Sequence, residues 1–109
     1  ALQQAIECPI RIMEEANEAV NFVAKTGMYC KGHLLSDLLV VCELLRVAIS
    51  GAHRIAQANL ILMEASSERS EYQDRLEQLL SDSRELYESV VSVLVQRAGF
   101  GRAISAWKC

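Results

Sequence analysis

Between Leu38 and Ile49 only Glu43 and Arg46 are not apolar, and a helix that is apolar on nearly every side has to be surrounded. Two neighbours in a three-helix bundle cover only part of its circumference. The chain has 109 residues, with a single proline, Pro9, and five glycines. It therefore has few places to turn, which favours a few long elements over many short strands. Hydrophobic residues make up 51% of the sequence and aromatic residues 6%, so the interior is filled by Leu, Ile, Val and Ala. The expected fold is all-α: one domain over residues 1–109, a bundle of three long helices, completed by dimerisation or by further helices.

The first helix is expected over about 9–26. Pro9 suits a first turn, and Ile10, Met13, Ala16, Val20 and Val23 recur at three- and four-residue steps. Glu14, Glu15, Asn17, Glu18 and Asn21 form its solvated face, and Gly27 supplies a left-handed terminus. A connector over 27–35 leads to Ser36, which reads as an N-cap with Asp37 behind it at the positive end of the helix dipole. The second helix then runs over about 37–64, with Glu43 and Arg46 spaced to pair. Ser50, Gly51 and Ala52 bring small residues into its middle, where close approach by another helix would offset the roughly 1 kcal/mol that glycine costs. Ser70 and Gln73 read as a capping box for a third helix over about 70–97, closed by Gly99 and Gly101. The tail over 98–109 contains Trp107.

A net charge of −3 and a pI near 5.4 speak against a nucleic-acid partner, since no basic stripe is present to neutralise phosphates. Asp37, Glu43, Arg46, Arg54 and Glu64 interrupt every apolar run before it reaches the length of a membrane span. Cys8, Cys30, Cys42 and Cys109 form no C-x-x-C pair, so they read as reduced thiols of a cytoplasmic protein, and no metal centre is expected.

Candidate chemistry gathers at the connector. His33 lies three residues ahead of Ser36 and Asp37, where helix-terminal amides and a carboxylate could bind or protonate a small ligand. The plain alternative makes Ser36 a cap and Asp37 a dipole partner. Arg46 and Arg54 stand about two turns apart and suit a carboxylate tail, or else internal salt bridges. His53, beside Arg54, reads as a packed histidine.

Cys8-Pro9-Ile10 ahead of an amphipathic helix, a glycine-containing connector into Ser36-Asp37, and Gly51-Ala52 followed by Asn59-Leu60 resemble the later half of the formiminotransferase-cyclodeaminase and methenyltetrahydrofolate cyclohydrolase family. Arg75-Leu76 and Leu79-Leu80 continue the likeness, which extends over about 1–97. The resemblance implies a dimeric, all-helical protein that acts on the one-carbon unit of tetrahydrofolate. The reactions are ring closure of the formimino form with loss of ammonia, or interconversion of methenyl and formyl forms. It further implies that Ser36 and Asp37 match the family's Ser-Asp pair and Asn59 its later helix asparagine. On this reading Asp37 and His33 are catalytic, Ser36, Asn59 and Arg54 bind a tetrahydrofolate derivative, and the second helix self-associates. Ile55 stands where another asparagine is expected, the connector is longer than usual, and the family's glycine-rich segment has no counterpart. The alternative is a non-catalytic helical interaction or assembly module.

Overall fold

The computed structural model describes residues 2–99. The expectations for Gly101, Trp107 and Cys109 lie outside the described residues. Three α-helices follow one another: α1 (Leu2–Gly27), α2 (His33–Leu60) and α3 (Ser67–Ala98). Short connectors make sequential helices antiparallel neighbours. Ala5 accordingly lies beside Asn59, and Gly27 beside Leu94. The bundle measures 58 × 27 × 16 Å, its length set by α3, whose 32 residues extend about 48 Å.

The core follows a seven-residue repeat. Helix α2 buries Leu35, Cys42, Ile49 and Ala56, and α3 buries Leu76, Ser83 and Val90. Residues seven apart drift only about 20° around a straight helix, so a slight left-handed supercoil keeps each seam facing its neighbours. Helix α1 contributes Ile6, Ile10, Met13, Ala16, Val20 and Val23. The buried Ser83 satisfies its hydroxyl by donating to the Leu79 carbonyl at 2.7 Å, so it can occupy a core position.

Five expectations are corrected by local chemistry. Helix α1 begins at Leu2, which places Pro9 inside the helix rather than at its start. Gly27 does not end α1 in a left-handed conformation; among the described glycines only Gly32 and Gly99 have positive φ. Its role is close approach, because a Cβ there would meet Leu94 Cδ2 at 2.5 Å. Helix α2 starts at His33 with Gly32 as N-cap, so Ser36 is not the cap, and the helix ends at Leu60 rather than Glu64. Helix α3 is capped by Ser66, whose hydroxyl accepts from the Arg69 amide at 3.2 Å. Ser70 lies inside that helix, and Gln73 donates to Glu77. At the far end Gly99 adopts the expected left-handed cap with φ 74.

The outward face of α2 remains apolar. Val40, Leu44, Val47 and Ile55 are between 57% and 65% exposed, on the side opposite Leu35, Cys42 and Ile49. The helix is therefore apolar beyond the side that α1 and α3 cover, as expected from the run between Leu38 and Ile49. Among the described residues no helix is long and apolar enough to cross a membrane.

Candidate functional site

The start of α2 is built by a turn. Gly32 takes φ 59, a conformation with little strain only for glycine, and the chain enters the helix at His33. The Leu34 amide donates to the Lys31 carbonyl at 3.3 Å and the Leu35 amide to the Gly32 carbonyl at 3.1 Å. These bonds use two of the four amides a helix end would otherwise offer an anion. Ser36 and Asp37 lie beyond them, in the second turn, so neither is placed by the helix terminus as expected. His33 and Asp37 are exposed and Ser36 is half-buried. Asp37 enters no ion pair among the described residues.

Arg54 and Asn59 stand at the other end of the same helix. From Asp37 to Arg54 is about 26 Å along the axis, and to Asn59 about 33 Å, at 1.5 Å per residue. One chain therefore keeps His33, Ser36 and Asp37 together and holds Arg54 and Asn59 apart from them. Asn59 reaches α1, where its Nδ2 donates to the Ala5 carbonyl oxygen at 2.8 Å. Arg54 is exposed and enters no ion pair among the described residues. Arg46 does not join it. Its guanidinium pairs with Glu43 at 3.1 Å, as the spacing predicts, and lies over the Tyr87 ring 5.8 Å from the centroid. Tyr87 donates its hydroxyl to Glu43. That bond, with the Arg46 charge, holds the Glu43 carboxyl below its ordinary range, while burial pushes the Tyr87 phenol up.

A second polar cluster lies in the groove between α2 and α3. His53 is 8% exposed and lines an open cavity of about 340 Å³ with Gln57, Arg69, Gln73 and Glu77. Burial lowers the His53 pKa, and the nearby Arg84 and Arg54 charges add to the effect. His53 and Gln57 are one turn apart on α2. Glu77 and Arg84 come from α3, and no local pattern links them to His53. The same holds for Arg75, which joins Glu7 at 3.0 Å and Glu14 at 3.6 Å, fastening α3 to the flank of α1 that reads as simple solvated surface.

Cys42 is buried, and that burial raises its thiol pKa. Cys8 is exposed and Cys30 half-buried, and all three are free, consistent with thiols that act as small packing groups or surface residues.

No curated protein and no solved structure matches the chain. A family model does match, described as formiminotransferase-cyclodeaminase, over residues 1–78. That stretch takes in α1, α2 and the first turns of α3, and so includes the Ser36-Asp37 pair at one end of α2 and Asn59 at the other. On the strength of that match the chain belongs to the formiminotransferase-cyclodeaminase family.

Proposed function

We propose that this chain is a cyclodeaminase- or cyclohydrolase-like helical domain of folate one-carbon metabolism that acts in the cytoplasm on formimino- or methenyl-tetrahydrofolate. The family match across both ends of α2 carries this reading. Asp37 handles a proton of the reacting one-carbon unit or orients the pteridine, with His33 as its partner across the first turn of the helix. Ser36 and Asn59 hydrogen-bond the folate, and the exposed Arg54 guanidinium suits its carboxylate tail. The Asn59 carboxamide oxygen is available for this, since its nitrogen is occupied by Ala5. The reading requires no metal.

The test is a melting curve with 5-formyltetrahydrofolate on wild type and Asp37→Asn. A ligand that binds only the folded state raises its stability by mass action, so wild type should melt higher in its presence. Asp37→Asn should keep its fold and lose the shift, or lose turnover by roughly 10²-fold in an active assembly. No shift in a folded wild-type sample at millimolar ligand would refute folate binding.

The exposed apolar face of α2 favours a second reading, an assembly module that self-associates through this helix. The two readings are compatible, because a site divided between the ends of a helix can be completed by a partner.

A further inference from the structure

The groove between α2 and α3 continues past His53 toward the middle of the bundle, and its chemistry changes on the way. Arg46 and Ser50, one turn apart on α2, and Arg84 and Tyr87, one turn apart on α3, border a cavity of about 130 Å³ that Ile49 and Leu80 also line. Neither Arg84 nor the Ser50 hydroxyl enters an ion pair or side-chain hydrogen bond among the described residues. Arg46 spends its Nε and Nη2 on Glu43, which leaves Nη1 uncommitted, and Glu43 is also taken up by the Tyr87 hydroxyl. Two guanidinium groups and a hydroxyl, converging from two helices on a small cavity, are complementary to a tetrahedral oxyanion, because each guanidinium presents its N–H groups as a planar fork.

Arg84 and Leu80 also border the adjoining cavity, of about 400 Å³, where Glu77, Glu85 and Glu88 from α3 face Gln57 from α2. His53 borders this cavity too. It is more than nine-tenths buried and has no hydrogen-bond partner among the described residues, a state that costs stability unless something in the cavity meets it. Burial, with the Arg84 and Arg54 charges, lowers its pKa, so the imidazole is neutral near pH 7 and can both accept and donate. Carboxylates only accept, so this part of the groove suits a ligand rich in hydroxyl donors and opposes a second anion.

We infer that the groove binds a sugar monophosphate, with the phosphate between Arg46 and Arg84 and the sugar hydroxyls donating to Glu77, Glu85 and Glu88 beside His53 and Gln57. None of His33, Ser36, Asp37, Arg54 and Asn59 borders either cavity, so the site stands independently of the folate reading.

NMR titrations of the full chain, with ionic strength held constant by chloride, test the assignment with ribose 5-phosphate, inorganic phosphate and O-phosphoethanolamine as probes. Ribose 5-phosphate should shift the Arg84 side-chain and His53 ring resonances in a saturable way and bind about tenfold tighter than inorganic phosphate. Arg84 is exposed, so Arg84→Gln should fold, and it should weaken both ligands by about tenfold or more. Arg11→Gln, on the α1 surface, should change neither. His53→Leu should bring ribose 5-phosphate down to the affinity of inorganic phosphate and leave inorganic phosphate as it was. The absence of a saturable shift would overturn the proposal, as would binding that survives Arg84→Gln or equal affinity for ribose 5-phosphate and inorganic phosphate. A tighter grip on O-phosphoethanolamine than on ribose 5-phosphate would overturn it as well, since the carboxylates would then serve an ammonium group rather than hydroxyls.

Discussion

Asn59 donates its side-chain amide to the carbonyl oxygen of Ala5 at 2.8 Å, an acceptor that lacks its usual partner because Pro9 stands four residues on. In an uninterrupted helix the amide of residue 9 would fill this role, but proline has no N–H and its ring crowds the carbonyl of the preceding turn. A side chain from α2 thus repairs a defect in α1. The carbonyl is part of a buried segment that includes Ile6, Pro9 and Ile10, where an unsatisfied acceptor is costly.

Asn59→Ala should therefore lower unfolding free energy by about 1 to 3 kcal/mol in urea titrations. In a Pro9→Ala background the restored amide can bond to Ala5 within the helix, and the same substitution should cost clearly less. Equal costs in both backgrounds would mean that Asn59 stabilises the fold by some other contact.

Gly27 and Leu94 form the second close junction. Because a Cβ at Gly27 would stand 2.5 Å from Leu94 Cδ2, Gly27→Ala forces a core leucine to shift. Overpacking of this kind costs about 1 to 3 kcal/mol, which outweighs the helix propensity gained from alanine. Leu94→Ala alone opens a cavity and should cost about 2 to 5 kcal/mol. The double variant should be less unstable than the sum, as the new methyl enters the vacated space. Strict additivity would show that the two residues do not compete for volume.

The three helices were legible because apolar residues recur at helical spacing and turn-forming residues are few. The ends were less legible, since several polar residues near each end could cap it and tertiary contacts choose among them. Ser70-Glu71-Tyr72-Gln73 contains the capping-box letters, yet Ser66 is the residue that caps α3. Pro9 sits mid-helix because Asn59, fifty residues away in the chain, takes over the carbonyl it leaves free, and nothing local announces such a contact. The same limit applies to the candidate site. His33, Ser36 and Asp37 could be grouped by proximity in sequence, and the expected second helix over about 37–64 already sets Arg54 and Asn59 about 26 to 33 Å from Asp37 along its axis; what the sequence does not announce is the turn at Gly32 that starts the helix ahead of Ser36. Gly51 was expected to permit a close helix approach; among the described residues no helix takes that place.

The two serines near the start of α3 offer a direct comparison. Removing the Ser66 hydroxyl leaves the Arg69 amide without its acceptor, and Ser66→Ala should cost about 1 kcal/mol, a fall in Tm of about 4 to 8 °C for a domain of this size. Ser70→Ala removes no cap and places a better helix former in the first turns. Its Tm should stay level or rise. A larger loss from Ser70 than from Ser66 would show that the helix starts later in solution.

His53 should make stability depend on pH in a window separate from that of the carboxylates. Burial, with Arg84 and Arg54 nearby, holds its folded-state pKa below the ordinary 6.5. Above that value the imidazole is neutral in both states and pH has no leverage. As pH falls through 6.5 the unfolded chain takes up a proton that the folded chain resists. Stability therefore falls with pH until the folded-state pKa is passed, and then levels off. Glu43 also has a depressed pKa, but its ordinary value is 4.5, so its loss of stabilisation comes at lower pH. Urea midpoints followed from about pH 7.5 to about pH 5.5 should drop in wild type and stay nearly flat in His53→Gln, because the variant has no proton to bind at this position. An unchanged slope in His53→Gln would assign the pH dependence to another group.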